Sequence, residues 1–156
     1  MSEISTKVVP TQTVMSLPFT GPYDQTGDRL DELMGWLLRE GHPYGGRPFC
    51  IYYDDPSKVA PDKLRAEACL PIEERCEGDY RVSRKRIAGG EFACAVHEGP
   101  YSELSKVYEE LFAWIQAQGY QFVEGAGTRE VFLRLAGETA PDELPLTEVQ
   151  VPVQKA

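Results

Sequence analysis

Apolar and polar positions alternate along residues 11–17 and again along 91–97, a period of two that predicts β-strands. After each stretch the period lengthens. Leu104, Val107, Tyr108, Leu111, Phe112 and Ile115 recur at helical spacing, as do Leu30, Leu33, Met34 and Leu37 earlier in the chain. Ser102 stands where a helix N-cap belongs, and Gly41 and Gly119 stand where a left-handed residue ends a helix. Two further strands are expected after each helix, over 49–53 and 64–73 in the first half and over 130–135 and 148–153 in the second. The basic stretch 80–87 reads as a lead-in strand that turns at Gly89-Gly90.

The same grammar is therefore written twice, and individual residues repeat with it. Gly21-Pro22-Tyr23, Trp36 and Gly41 return 78 residues later as Gly99-Pro100-Tyr101, Trp114 and Gly119. Ala60-Pro61-Asp62-Lys63-Leu64 returns after 80 residues as Ala140-Pro141-Asp142-Glu143-Leu144, and Pro71 returns after 81 as Pro152. The drift is what insertions in surface loops produce. The expectation is an α+β fold built by internal duplication of a β-α-β-β unit, repeat one over about 8–75 and repeat two over about 80–153, within a single domain spanning residues 1–156. Two such units related by a pseudo-twofold axis leave a central cleft, a preferred place for a ligand.

Alternation also sorts the side chains. Glu130 and Phe132 share one strand face, and Cys50 and Tyr52 share the matching face of the other copy. Val131, Leu133 and Leu135 take the opposite face and make the better pure core. A carboxylate on an apolar strand needs either a partner or a ligand, since burial disfavours its charged form. Glu130 either salt-bridges a neighbour such as Arg129 or Arg134, or receives a cation that nearby aromatic faces also attract. Trp36 and Trp114 lie about a quarter turn off the centres of their helix stripes, where they plug the core edges or line the cleft mouth.

Composition narrows the function classes. Of 156 residues, 42% are hydrophobic and 26% charged, as in a globular chain, and the formal net charge of −9 argues against direct nucleic-acid binding. The basic cluster Arg81, Arg84, Lys85 and Arg86 reads as a solvated strand edge. No apolar run approaches the ~20 residues that span a bilayer, and the first residues lack a signal-peptide core, so a cytoplasmic protein without membrane contact is expected. Cys50, Cys69, Cys76 and Cys94 form no CxxC pair and read as free, buried thiols; no metal and no cofactor are expected. Asp54-Asp55-Pro56 reads as a turn and His97 as an exposed polar residue at a strand end, with no partner for nucleophilic catalysis.

The run from Ile87-Ala88-Gly89-Gly90-Glu91-Phe92-Ala93 through His97-Glu98-Gly99-Pro100-Tyr101, followed by Leu104, Leu111, Trp114 and Gly119, resembles the GyrI-like effector-binding family. Ile51-Tyr52-Tyr53-Asp54-Asp55-Pro56 and Leu64-Arg65-Ala66-Glu67-Ala68-Cys69 in the first half agree, and the likeness runs over about residues 8–153. The resemblance implies paired β-α-β-β units around a pocket that, in multidrug-sensing transcription regulators, takes bulky aromatic and often cationic compounds. A strand glutamate contributes to that pocket, and Glu130 occupies the matching position; Phe132 stands where the family usually has a tyrosine, which removes a hydroxyl. Those regulators add a helix-turn-helix domain, for which this chain has no room, so a stand-alone effector domain is expected.

Three readings follow. The leading one is reversible, non-enzymatic binding of a hydrophobic aromatic or cationic small molecule by Glu130, Phe132, Tyr52, Tyr53, Cys50, Phe92, Trp36 and Trp114. The second is hydrolysis of strained, cyclopropane-type genotoxic compounds, with Glu130 as general base and Tyr52 or Tyr53 as proton donor. The third is inhibition of DNA gyrase through protein contacts. The sequence leaves open the natural ligand, a homodimer, a partner regulator, and whether Cys50 and Cys69 lie close together.

Overall fold

The computed structural model describes residues 3–42, 45–73, 77–79, 81–135, 140 and 142–156; Cys76, Tyr80 and Pro141, singled out above, lie outside the described residues. The fold is α+β. Its elements run β1 (Ile4–Val9), β2 (Gln12–Thr20), α1 (Thr26–Arg39), β3 (Phe49–Tyr52), β4 (Arg65–Pro71), β5 (Ser83–Ile87), β6 (Gly90–Glu98), α2 (Leu104–Ala117), β7 (Tyr120–Phe122), β8 (Thr128–Arg134) and β9 (Leu146–Lys155).

The chain divides into two compact units, one of Pro10–Gly89 and one of Met1–Val9 with Gly90–Ala156. In the first, antiparallel strands follow the order β3-β4-β2-β5. In the second the order is β1-β6-β9-β8, and β7 pairs with β9. Each lead-in strand thus pairs outside its own half of the sequence: β1 joins β6, and β5 joins β2. Neither β1 nor β7 is expected from the pattern, because β1 carries weak alternation at a sheet edge and β7 is only three residues long.

Each helix begins after a single 3-10 turn, Tyr23–Gln25 before α1 and Tyr101–Glu103 before α2. Ser102 therefore lies within the turn and does not cap α2; Glu103 holds the cap position, with no side-chain cap bond. The helix ends follow expectation. Gly41 (φ 74°) and Gly119 (φ 78°) adopt the left-handed conformation that lets the chain leave the helix.

In the second unit α2 buries Leu104, Val107, Leu111 and Ile115 against Ala93, Ala95, Val149, Val151 and Val153. Phe112 falls outside this stripe, exposed and edge-on to Phe122. In the first unit α1 buries Leu30, Leu33 and Leu37 and packs on β4 and β2. Val131 and Leu133 do not form the purer core. The helix covers the face bearing Glu130 and Phe132, whereas Leu133 is 36% exposed on the other. A strand's composition shows which face can be buried; the docking of the helix decides which one is.

Candidate functional site: an aromatic carboxylate under the second helix

Register fixes the face of Glu130. It lies opposite Val149, which lies opposite Ala95, and both of these belong to the core beneath α2. Phe132, opposite Thr147, shares that face, as alternation predicts. The strand is irregular between Phe132 and Arg134, so the alternation that seats Glu130 ends one residue beyond Phe132.

The hydroxyl of Tyr108, projecting from α2, donates to Glu130 Oε2 at 2.7 Å. Glu130 is half-buried there, so a charge-assisted hydrogen bond offsets part of the cost of removing the carboxylate from water. Phe132 is buried, and the ring of the exposed Tyr101 meets it edge-on with centroids 6.0 Å apart. The result is one carboxylate with three aromatic rings on the same side of the sheet. Tyr101 and Tyr108 were not among the expected ligand residues. The repeat could have found Tyr101, as the counterpart of Tyr23, and the helix stripe already contained Tyr108.

The first unit holds the corresponding positions without the charge. Tyr52 stacks obliquely on Tyr23 at 4.7 Å, and its hydroxyl lies 3.0 Å from Thr26 Oγ1 at the start of α1. Tyr23 is pinned in turn: its hydroxyl donates to the Arg65 carbonyl at 2.8 Å and accepts from the Asp54 amide at 3.0 Å. Burial pushes the Tyr23 hydroxyl pKa up. Cys50 stands where the second unit has Glu130, and Leu30 where it has Tyr108. The carboxylate and its hydroxyl donor therefore occur together in one unit and are absent together from the other.

The remaining expected residues fall elsewhere. Tyr53 follows Tyr52 and points to the sheet face away from α1, where its hydroxyl donates to Glu67 Oε1 at 2.6 Å. Phe92 lies on the face away from α2, packed with Val9 and Cys94, and the Arg129 guanidinium lies over its ring at 4.5 Å. Trp36 donates to Asp79 at 2.9 Å, and Trp114 stacks on Tyr120, so each indole has a structural contact within its own unit. His97 is half-buried rather than exposed, with Nε2 3.3 Å from Glu103. Asp54 receives a bidentate contact from Arg65, and Asp55 accepts from the Ser57 amide and hydroxyl, as a turn requires. Cys50 pairs with Ala68, so Cys50 and Cys69 occupy adjacent strands but opposite faces; both are buried, as is Cys94.

A second pattern was missed altogether. On the faces away from the helices, Glu67 lies between Pro18 and Ile51, and Glu148 lies between Val96 and Val131. Each meets a lysine from a lead-in strand: Lys85 on Glu67 at 2.6 Å, and Lys7 on Glu148 at 2.8 Å. Lys7 and Lys85 are 78 residues apart, and Glu67 and Glu148 keep the 81-residue offset of Pro71 and Pro152, which is the signal that could have found them. Lys85 is thus one exception within the basic cluster and Arg81, which precedes β5 and pairs with Glu32, is another, whereas Arg84 and Arg86 lie exposed on the edge strand. Glu67 also accepts from Ser16 and Tyr53. Burial pushes its pKa up, but the bonds from Lys85, Ser16 and Tyr53 outweigh this and hold it below the usual carboxylate value.

No helix among the described residues is long and apolar enough to cross a membrane, and no group of three or more His, Cys, Asp or Glu residues there is placed to hold a metal ion.

Comparison with known proteins agrees with this fold. A DNA gyrase inhibitor of Edwardsiella ictaluri is 32% identical over 153 residues, covering 92% of this chain and 93% of that protein. A DNA gyrase inhibitor of Pectobacterium carotovorum is 32% identical over 111 residues, covering 69% and 71%. Among solved structures, the EcmrR C-terminal domain superposes with a TM-score of 0.85 at 20% identity, covering all of this chain and 99% of that one. In the EcmrR–DNA complex the match has a TM-score of 0.84 at 21% identity, and this chain spans only 58% of the EcmrR chain. SAV2435 bound to tetraphenylphosphonium matches with a TM-score of 0.62 at 14% identity, over 97% of this chain and 94% of that one. The description of the GyrI-like small-molecule-binding domain fits residues 2–154, and the chain belongs to that family.

Proposed function

We propose that this domain reversibly binds a lipophilic aromatic cation, with Glu130 as the charge partner and Phe132, Tyr101 and Tyr108 as walls. The observation that carries the reading is the half-buried Glu130 carboxylate set among aromatic side chains and held by Tyr108 at 2.7 Å. A cation beside it gains Coulomb attraction in a partly desolvated setting, and each ring face adds roughly 0.5–2 kcal/mol of cation–π attraction. The similarly folded SAV2435 was solved with tetraphenylphosphonium, which supports a cation of that shape as the first probe.

The test is a thermal-shift comparison of tetraphenylphosphonium with neutral triphenylphosphine oxide, on wild type and Glu130→Gln. Ligand binding to the native state raises the melting temperature by mass action. The expected result is a cation-selective shift that the substitution removes. Equal shifts for both compounds in both proteins would remove Glu130 from the site.

A second reading rests on the relatives named DNA gyrase inhibitors, one matching over nearly the whole chain. Purified protein would then suppress gyrase supercoiling in vitro, and normal supercoiling at a large excess of protein would exclude it.

A further inference from the structure

We propose that the open edge of β5 takes up an acidic, extended segment of another protein as an added β-strand. β5 ends the strand order β3-β4-β2-β5, and among the described residues it pairs only with β2. The register shows which of its peptide groups are left over. The Ile72 amide donates to the Thr13 carbonyl at 3.2 Å, so the main chain of Thr13 bonds toward β4. In an antiparallel sheet successive residues bond to opposite sides, so the main chain of Val14 bonds toward β5. Val14 stands opposite Lys85, so Lys85 bonds back to β2 and the peptide groups of Arg84 and Arg86 project from the edge. At Val82 the outward carbonyl is already taken, by the Asp79 amide at 2.8 Å. Among the described residues nothing does the same at Arg84 or Arg86.

The side chains select the partner. Arg84 lies opposite Met15 and Arg86 opposite Thr13, so both guanidinium groups are on the α1 side, whereas Lys85 turns the other way to Glu67. Both arginines are exposed, and neither forms an ion pair among the described residues. They stand roughly 7 Å apart along the strand, the repeat at which an added strand presents successive side chains on one face. Glutamates at alternate positions of that strand meet both arginines as cross-strand pairs while its amides and carbonyls continue the ladder. A nucleic-acid strand matches the charges but not the ladder, which favours a protein segment. The fold does not require the arginines. β1, which pairs with β6 as β5 does with β2, carries Thr6 and Val8 on either side of Lys7, where β5 has Arg84 and Arg86 on either side of Lys85.

The experiment is fluorescence anisotropy with a labelled heptapeptide of alternating glutamate and threonine. The controls are the same peptide with lysine for glutamate, the acidic peptide N-methylated at its glutamates so that it cannot donate to the edge, and a labelled oligothymidylate. The proteins are wild type, the double variant Arg84→Gln with Arg86→Gln, and the double variant Arg84→Glu with Arg86→Glu, with melting temperatures to show that each is folded. Wild type should bind the acidic peptide saturably. The glutamine pair should weaken that binding about tenfold, the scale of two cross-strand charge pairs, and the glutamate pair further. The lysine and N-methylated peptides should bind more weakly than the acidic one. On binding, the Arg84 and Arg86 amides should gain protection from hydrogen exchange while the Lys85 amide does not change. No saturable binding of the acidic peptide to wild type would overturn the proposal and leave the arginines as a guard against edge-to-edge pairing. Equal binding by the glutamine pair, or equal binding of the N-methylated peptide, would overturn it too. Tighter binding of the oligothymidylate than of the acidic peptide would replace it with a nucleic-acid contact.

Discussion

The two units place the same backbone positions in register but load them differently. Beneath α2 the second unit carries Glu130 and Tyr108, where the first carries Cys50 and Leu30 beneath α1. On the opposite faces the weighting reverses. Glu67 is 3% exposed and held by Lys85, Ser16 and Tyr53, whereas the Glu148 side chain is 13% exposed and held by Lys7 and Gln150. Cys94 stands where Ser16 does, and Leu133 where Tyr53 does. A buried carboxylate is kept only where enough donors come with it. The first unit therefore invests its polar network in holding together, and the second leaves a less enclosed acid among aromatic rings.

The largest effect that sharpens this contrast is on stability. Lys85→Met removes a cation paired with a nearly inaccessible carboxylate and should cost about 3 kcal/mol, the low end for breaking a buried pair because Lys85 itself is partly exposed. Lys7→Met, at the corresponding position, should cost less than about 1 kcal/mol. Urea unfolding of both variants measures the difference, and equal losses would break the comparison.

The pH dependence follows from the same residue. Glu67 has a folded pKa below its unfolded value, so its contribution is fully present above the ordinary carboxylate pKa of about 4.3 and is lost as pH falls through the folded value. Unfolding midpoints in acid should show this loss. In Lys85→Met the folded pKa rises, so any stabilisation Glu67 still provides should be lost at a higher pH than in wild type. Unchanged acid titration in that variant would contradict the assignment.

A smaller effect tests the coupling of Tyr108 to Glu130. Tyr108→Leu with Glu130→Cys recreates the pair found in the first unit. Together the two changes should cost about 1 kcal/mol less than the sum of each alone, because each single change already removes the hydrogen bond the two residues share. Strict additivity would mean that the bond contributes nothing to stability.

The smallest effect concerns reactivity. Burial first, and then the charge of Glu148, push the Cys94 thiol pKa up to about 12, so it stays protonated at neutral pH. Thiol reagents should modify Cys94 only as fast as the native unit opens, and rapid labelling would show that this face is accessible.

Much of the fold was legible because duplication doubled each signal. Gly41 with Gly119, and the shared face of Glu130 and Phe132, could be read from spacing alone. What escaped was non-local. The pairing of β1 with β6 depends on hydrogen bonds between residues 81 to 91 positions apart, and the weak alternation of an edge strand does not announce it. The face that a helix covers is a tertiary fact, which is why Val131 and Leu133 were mistaken for core. At the candidate site the sequence supplied Glu130 and Phe132. The role of Tyr108 was hidden because an apolar stripe of a helix does not reveal where a hydroxyl at its edge will reach. Tyr53 and Phe92 were grouped with Glu130 by chemistry, but their register turns them to the faces away from the helices.

The most direct test of the account is a calorimetric titration of tetraphenylphosphonium into wild type and Glu130→Gln, with triphenylphosphine oxide as the neutral control. The account predicts saturable binding of the cation that weakens at least about tenfold in the variant, while the neutral compound changes little, since one lost charge contact in a partly desolvated site is of that order. Cation binding of equal strength in both proteins, or none in wild type, would contradict it.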